Sequence, residues 1–228
     1  MASTELGWRA LVAGGTGAIG KYLVAELLSS DKFSAVTVIG RREIVFPSDK
    51  QPSPDQLAKL NYKNVADLEE MASMDPSQLT PPKYEVAFCA LGTTRKDAGS
   101  AENFRKIDHD GVINFGNLAK QAEVQHLQLV SSVGAAKKSM FLYVRTKGET
   151  EEYYKTLGVK QVSIFQPPLL DRGDKARTVE KLASYVLASA KVGDVAKAMV
   201  VQADTVLESN AGGVETIDWK AMKKLIGK

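Results

Sequence analysis

The sequence of 228 residues contains a single cysteine and two histidines, and these scarcities limit the chemistry available to the chain. With Cys89 alone, no intrachain disulfide can form, and the composition fits a reducing compartment. His109 and His126 are far apart in sequence and have no neighbouring cysteine, so we expect no metal site. A G-x-S-x-G nucleophile elbow is also missing, so the sequence does not support a hydrolase of that class.

Long hydrophobic runs and blocks of one charge are absent as well. No run approaches the roughly 18 apolar residues of a membrane span, and the N-terminus has no apolar stretch typical of a secretory signal. The 30 Lys and Arg residues are mixed along the chain with 27 Asp and Glu residues, which does not favour nucleic-acid binding. We therefore expect a soluble, cytoplasmic protein without a membrane span or a nucleic-acid partner.

Short apolar segments alternate with helical patterns along most of the chain. This alternation predicts βαβ units and an α/β fold, a single Rossmann-type doubly wound parallel sheet. Within one domain, 1–228, we expect a Rossmann core at 6–165 and a small C-terminal cover at 166–228, on the substrate side of the strands' carboxyl ends. The predicted strands span 9–13, 35–40, 61–65, 84–92, 126–132 and 160–168, and the predicted helices span 21–30, 101–123, 143–157 and 179–190.

A glycine-rich loop, VAGGTGAIG, lies between the first predicted strand and the first predicted helix. Its spacing satisfies both G-x-G-x-x-G and the G-x-x-G-x-x-G of the short-chain dehydrogenases. Such glycines permit a tight turn and let backbone N–H groups approach a pyrophosphate at the helix N-terminus. A plain glycine-rich turn is the structural alternative. The residues predicted to bind a dinucleotide here are Gly14, Gly15, Thr16, Gly17, Ala18 and Ile19.

A phosphate-binding NTPase loop is a competing interpretation of the same stretch. Residues Gly15 to Lys21 read G-x-x-x-x-G-K, but Tyr22 stands where that motif requires Ser or Thr to ligate Mg²⁺. The strand at 84–92 also lacks a terminal Asp for the metal. The dinucleotide interpretation is therefore favoured.

The end of the second predicted strand indicates which dinucleotide is bound. Folds that take NAD place an acidic residue about 20 residues beyond the glycines, where it bonds the ribose 2′-hydroxyl. Arg41 and Arg42 occupy this position, and two guanidiniums suit the 2′-phosphate of NADPH or NADP⁺ unless they are simply solvated. Asp67, after the third strand, could contact the adenine edge, although a helix cap explains it equally well.

Candidate catalytic residues follow the fifth predicted strand, which ends in Ser131 and Ser132. Tyr143 and Lys147 are four residues apart on the next helix, so they share one face. In a short-chain reductase, serine and tyrosine hydroxyls bond the substrate carbonyl, and the lysine ammonium lowers the pKa of the phenol from about 10. The tyrosine can then donate its proton to the carbonyl oxygen. One polar residue of the preceding helix could order a water in a proton relay: Asp108, Asn114 or Asn117.

Several stretches together carry a family resemblance: the glycine loop, VTVIGRR, LGTTRKDAG, LVSSVGA and FLYVRTKGETEE. From about Arg9 to Ala203, the chain resembles the Tat-interacting oxidoreductase branch of the atypical short-chain dehydrogenase/reductases. The resemblance implies a Rossmann fold, NADPH binding and a catalytic pair of Tyr143 and Lys147. It also implies an active serine, for which Ser132 is preferred because Ser131 should belong to the strand.

The resemblance implies further residues next to the cofactor. Leu91, Gly92 and Thr93 would lie beside it at the end of the fourth strand. Leu170 and Arg177, in the loop after the sixth strand, would reach the nicotinamide half and the phosphates.

The sequence as a whole predicts an NADPH-dependent oxidoreductase of a small, apolar carbonyl compound, with tyrosine as the proton donor. Related proteins usually read Arg-Pro-Gly where this chain reads Gln-Pro-Pro at 166–168, which supports an alternative. In that alternative, the protein senses NADPH as a regulatory or interaction protein and turns over little or nothing. An epimerase or dehydratase is disfavoured by Arg41 and Arg42, because NADP is unusual there. We expect a monomer or a homodimer, with the identity of any protein partner open.

Overall fold

The computed structural model describes residues 7–81, 83–171 and 189–228, and these ranges contain nine strands. The strands are β1 (Trp8–Ala13), β2 (Phe33–Gly40), β3 (Leu60–Asn64), β4 (Val86–Cys89), β5 (His126–Val130), β6 (Gln161–Gln166), β7 (Leu169–Asp171), β8 (Ser189–Lys191) and β9 (Gly213–Asp218). Seven of them form a parallel sheet in the order β3-β2-β1-β4-β5-β6-β9, and β7 pairs with β8 in a separate parallel ribbon. The order 3-2-1-4-5-6 is that of a Rossmann fold, so the predicted architecture is confirmed.

Helices connect the strands of the large sheet. They are α1 (Gly20–Ser29), α2 (Pro54–Leu57), α3 (Arg95–Ala98), α4 (Ala101–Arg105), α5 (Val112–Gln121), α6 (Leu142–Thr156), α7 (Val192–Ser209) and α8 (Trp219–Leu225). None of these helices, which are those of the described ranges, combines the length and the hydrophobicity that crossing a membrane requires.

The large sheet is covered on both faces, and its strands divide their side chains between two cores. One core packs against α1 and α7, and the other packs against α5 and α6. On β4, Val86 and Phe88 point into the first core, whereas Ala87 and Cys89 point into the second. Because both faces are buried, the strands are nearly continuous apolar runs, which is the pattern that made them predictable.

The predicted helix at 101–123 contains a break in its regular geometry. A π-helical turn, Lys106–Gly111, joins α4 to α5. Such a turn adds one residue to the helix, and it frequently occurs at functional sites. It carries Asp108, which is fully buried at 0% exposure. The apolar spacing of the sequence does not predict the turn, because one added residue barely changes a helical pattern.

The C-terminal segment contributes to the main sheet as well as to the predicted cover. β9 pairs with β6 at the edge of the sheet, and α7 packs against α1. β9 is not predicted because its residues, GVETID, are mostly exposed and lack an apolar run. The division at 166 stays a prediction. The helix predicted at 179–190 lies outside the described residues except for Ser189 and Ala190, which begin β8.

A polar cluster is buried between the sheet and α7, at the amino end of β5. His126 is fully buried, and its Nε2 lies 2.8 Å from the Ser163 hydroxyl on β6. Ser163 donates to the Glu215 carboxylate on β9 at 2.7 Å, and the Gln202 amide of α7 donates to the same carboxylate at 2.5 Å. Burial disfavours the charged imidazole and lowers the pKa of His126 from 6.5 to about 3.

We expect the free energy of unfolding to decrease as the pH falls from 6.5 to about 3. In this window the unfolded histidine binds a proton that native His126 does not bind, so acid favours the unfolded state. The contribution approaches about 1.4 kcal/mol per pH unit. Urea unfolding of the wild type and of His126→Asn at several pH values measures it. The wild type should show the steeper loss, and equal slopes would show that His126 contributes nothing.

Candidate functional site

Two adjoining cavities lie at the carboxyl ends of the central strands. The first, of about 240 Å³, is bounded by the glycine loop, the end of β2 and the loop after β4. The second, of about 100 Å³, is bounded by the glycine loop, the loop after β4, the end of β5 and the start of α6. The two share lining residues from the glycine loop and the β4 loop and therefore form one groove: Gly17, Ala90, Leu91, Gly92 and Thr93. The groove lies where the strand order reverses between β1 and β4, which is the usual ligand position in such sheets.

The glycine loop requires glycine at its most crowded points. Gly14 has a φ of +83°, in the left-handed region, and a Cβ there would overlap the backbone of Ala90. A Cβ on Gly20 would overlap the carbonyl group of Gly14. The N–H of Gly17 closes the turn by donating to the Gly14 carbonyl at 2.9 Å. The turn presents the N-terminus of α1, whose first turn carries no acidic side chain, to the groove, where an anion would be stabilised.

Arg41 and Arg42 line the first cavity directly after β2. Both side chains are exposed, and neither forms an ion pair with another residue of the described ranges. Leu68 lines the same cavity, whereas Asp67 does not. The Asp67 carboxylate instead accepts from the backbone N–H groups two and three residues later, at 2.8 and 3.2 Å. The Asp67 carboxylate therefore makes a local turn contact with the chain that follows it, and a contact with adenine stays a prediction.

The second cavity contains the Tyr143 and Lys147 side chains, which extend from one face of α6. Lys147 is buried, with 6% of its side chain exposed, and its Nζ lies 2.9 Å from Oδ1 of Asp108. The other carboxylate oxygen of Asp108 accepts from the backbone N–H of Thr93 at 2.7 Å. Tyr143 is 44% exposed, so its phenol contacts both the cavity and the solvent.

The buried pair of Lys147 and Asp108 is best described as an ion pair. Burial lowers the pKa of the Lys147 ammonium, but the attraction of the Asp108 carboxylate and of Tyr143 outweighs it, and the net shift is upward. Burial also raises the pKa of the Asp108 carboxyl, and this shift is opposed by the Lys147 charge and the Thr93 N–H. Two charge-assisted contacts to one carboxylate favour its ionised form.

Ser131 and Ser132 have different surroundings. Ser131 is buried, lines the second cavity and donates its hydroxyl hydrogen to the Glu151 carboxylate of α6. Glu151 is buried as well, and it accepts from the Gln166 amide at 2.9 and 3.1 Å. Ser132 is partly exposed, and its hydroxyl makes a long contact of 3.4 Å with the Val133 carbonyl. The serine that contacts a substrate stays a prediction, because Ser131 lines the cavity but its single hydrogen is engaged.

Most of the residues predicted from the sequence line this groove. They are Gly14, Gly15, Thr16, Gly17, Ala18, Ile19, Arg41, Arg42, Leu91, Gly92, Thr93, Tyr143, Lys147 and Leu170. Asp67 and Ser132 are not part of the lining, and Arg177 lies outside the described residues. No sequence pattern pairs Asp108 with Lys147 or Glu151 with Ser131. The one signal for Asp108 is its place on the helix before β5.

A larger cavity, of about 730 Å³, lies on the other side of the glycine loop, between α1 and β8. Its lining mixes lysines with acidic side chains and lacks Arg41, Arg42 and Tyr143. It also borders Asp171 and Lys191, on either side of the 172–188 stretch that lies outside the described residues. Its size alone therefore assigns it no role.

Comparisons with known proteins agree with this geometry. Residues 14–205 match a protein family described as NAD(P)H-binding. Protein HTATIP2 of Rattus norvegicus is 37% identical over 159 residues, which cover 70% of this chain and 61% of that protein. The match thus spans less than two thirds of this relative's length. Protein fmp52, mitochondrial, of Emericella nidulans is 35% identical over 173 residues, or 75% of this chain and 71% of that protein. The family resemblance is therefore confirmed.

Solved structures support the same fold. A structure described as MoeE5 in complex with UDP-glucose and NAD superposes with a TM-score of 0.67. The alignment covers 92% of this chain and 75% of that chain, at 17% sequence identity. At this identity the likeness supports the Rossmann architecture and nothing about the substrate.

The expected cytoplasmic location is contradicted by the relatives. Several fungal relatives, with 33–35% identity, are named as mitochondrial proteins. The expectation was wrong because composition and a missing disulfide indicate only a reducing environment. An organelle address is read by receptors and leaves little trace in the composition of a fold.

Replacing one member of the Lys147–Asp108 pair should destabilise the fold more than replacing both. Lys147→Met leaves a buried carboxylate without its cation, a change that typically costs about 3–5 kcal/mol. The double variant Lys147→Met/Asp108→Asn has no charge and keeps an acceptor for the Thr93 N–H, so it should recover much of the loss. Urea unfolding of the wild type, both single variants and the double variant gives the coupling energy. Additive losses would mean that the two residues are not coupled.

Proposed function

Because the chain belongs to the NAD(P)H-binding family, we propose that it is an NADPH-dependent oxidoreductase that reduces a small, apolar carbonyl compound. The observation that carries the proposal is the single groove, with Arg41 and Arg42 at one end and Tyr143 and Lys147 at the other. The glycine loop lies between the two ends, where a pyrophosphate would be held. This order matches the order of the parts of a dinucleotide from its 2′-phosphate to its nicotinamide.

The residues of the groove fit NADPH. The turn at Gly14 and Gly20 leaves space that any Cβ would fill, so backbone N–H groups can approach phosphate oxygens. The exposed guanidiniums of Arg41 and Arg42 are available for bidentate bonds to the 2′-phosphate. An acidic side chain at this position would instead favour the 2′-hydroxyl of NAD. The NADPH preference therefore rests on the two arginines.

Tyr143, Lys147 and one serine have roles in the proposed reduction. NADPH supplies the hydride when it is bound. Tyr143 donates its phenolic proton to the substrate oxygen, and Lys147 stabilises the phenolate that remains. Solvent then returns the proton, because 44% of Tyr143 is exposed. The active serine orients the substrate oxygen, and the sequence-based preference for this role is Ser132.

Apolar side chains surround the catalytic end of the groove and favour an apolar substrate. Ile19, Val130 and Leu170 line the second cavity. The charged side chains of the lining are the lysine and the aspartate that neutralise each other. A charged group on the substrate would therefore find no further partner among the described residues of this lining.

The proposal includes a location in the cell, an oligomeric state and the kind of partner. The names of the fungal relatives favour a mitochondrial location. We expect a small-molecule substrate, a monomer or homodimer, and no nucleic-acid partner.

An NADPH-sensing regulatory protein is the second candidate. It is favoured by Gln166, whose neutral amide contacts the buried Glu151 carboxylate where related chains carry arginine. Among the described residues, this carboxylate contacts the Ser131 hydroxyl and the Gln166 amide and no cation. Binding of NADPH without turnover of any carbonyl compound, together with partner binding that depends on NADPH, would favour this candidate over the reductase.

Replacing both arginines should remove the preference for NADPH. Nicotinamide fluorescence titrations of the wild type should show tighter binding of NADPH than of NADH. Arg41→Ala/Arg42→Ala should weaken NADPH binding on the order of tenfold to a hundredfold, because charge-assisted bonds to the 2′-phosphate are lost. NADH binding should change little.

Arg95→Ala is a matched control for this titration, because Arg95 is exposed on α3 and does not line the groove. It should leave the affinity for NADPH unchanged. Equal binding of NADPH and NADH by the wild type would overturn the assignment of the two arginines.

Tyr143→Phe should strongly lower turnover and leave NADPH binding intact. The aromatic ring, which lies 6.1 Å from the Phe104 ring, is retained, so NADPH affinity should stay near that of the wild type. Loss of the proton donor should lower kcat/KM by about 10²–10⁴-fold. Oxidation of NADPH with a panel of aliphatic and aromatic aldehydes and ketones measures this. Unchanged turnover with every accepted compound would rule out Tyr143 as the acid.

A further inference from the structure

One buried carboxylate at the catalytic end of the groove has no positive partner among the described residues. Glu151 of α6 is 5% exposed, and its contacts are the Ser131 hydroxyl and the Gln166 amide. Both partners are neutral donors, so they hold the carboxylate without cancelling its charge. We infer that Glu151 shifts the relative affinity of the groove toward NADP⁺, whose nicotinamide ring carries a positive charge that NADPH lacks. This inference rests on the proposed cofactor site and adds how that site distinguishes the two cofactor forms.

Ser131 connects this carboxylate to the cavity in which we propose that the nicotinamide lies. The serine lines the second cavity together with Tyr143 and Lys147, and it donates its only hydroxyl hydrogen to Glu151. The Gln166 amide nitrogen lies 2.9 and 3.1 Å from the two carboxylate oxygens. Glu151 is therefore held between the ends of β5 and β6, one side chain away from the lining of the cavity.

The other charges of this cavity cancel each other. Of the side chains that the structure describes around it, the charged ones are Lys147 and Asp108, and they form an ion pair at 2.9 Å. Beyond a few ångströms, the potentials of two close and opposite charges largely cancel. Adding Glu151 to this pair leaves a net negative charge at the catalytic end of the groove.

A negative charge at this place discriminates between the two forms of the nicotinamide. The oxidised ring is positively charged and the reduced ring is neutral, whereas the rest of the cofactor is the same in both. Because Glu151 and Ser131 are both buried, water and salt screen the attraction less than they would at the surface. The equilibrium of the reaction in solution is unaffected. What changes is the form that occupies the groove, so NADP⁺ competes more strongly with NADPH.

Two variants remove the net charge in different ways. Glu151→Gln replaces the carboxylate with a neutral amide that can still accept from Ser131. Gln166→Arg keeps the carboxylate and places a cation beside it. For each protein, nicotinamide fluorescence gives the Kd of NADPH, and displacement of bound NADPH gives the Kd of NADP⁺. In both variants, the affinity for NADP⁺ relative to NADPH should fall by about threefold to tenfold.

Glu152→Gln is the matched control, because Glu152 follows Glu151 on α6 but has a side chain that is 53% exposed. Solvent screens its charge, so the ratio of the two Kd values should stay at that of the wild type. An unchanged ratio in folded Glu151→Gln would overturn the inference. An equal loss of affinity for both forms would overturn it too, because a purely structural role predicts that result. If Glu151→Gln does not fold, Gln166→Arg decides in the same way.

Failure of the proposed function would look different. If the wild type bound neither NADPH nor NADP⁺, the cofactor site and this inference would both be wrong. If both forms bound and the ratio changed as expected, but no carbonyl compound were reduced, the reductase would be wrong and the effect of Glu151 would stand.

Discussion

The buried contact between Lys147 and Asp108 connects the parts of the molecule on which its chemistry depends. Through this contact, α6 is tied to the π-helical turn, and through the Thr93 N–H the same carboxylate holds the loop after β4. That loop lines both cavities of the groove. A single carboxylate therefore sets the position of Lys147 relative to the surface on which a dinucleotide would lie. Because the pair is buried, neither charge can be removed without consequence for the fold.

The parallel sheet explains why the groove lies where it does. Its strands end on one side, and the order reverses between β1 and β4, so their following loops diverge and leave space between them. The loops are closest at Gly14 and Ala90, where a side chain on the glycine would overlap the neighbouring backbone. The strand order brings the loops after β1 and β4 together, and only a glycine at position 14 leaves room for the Ala90 backbone. The same turn directs the N-terminus of α1 toward the groove. The close approach of the two loops and the anion-binding position therefore both depend on this turn.

The features that could be predicted from the sequence are those encoded in short stretches. The glycine loop, the arginines after β2 and the spacing of Tyr143 and Lys147 each lie within a few residues, and the strand runs are apolar because both faces are buried. The π-helical turn and the partners of Asp108 and Glu151 depend on how distant elements pack, and no local pattern reports that. The contacts of Asp67 could not be predicted from its place after the third strand, because its carboxylate accepts from the backbone N–H groups two and three residues later. The location in the cell is not a property of the fold at all.

A crystal structure of the protein with NADP⁺ bound is the most direct test of the proposed cofactor site. We expect the 2′-phosphate between Arg41 and Arg42, the pyrophosphate on the glycine loop, and the nicotinamide in the cavity lined by Tyr143 and Lys147. A dinucleotide bound in the cavity between α1 and β8, or bound in the groove with its nicotinamide away from Tyr143, would contradict the proposed cofactor site.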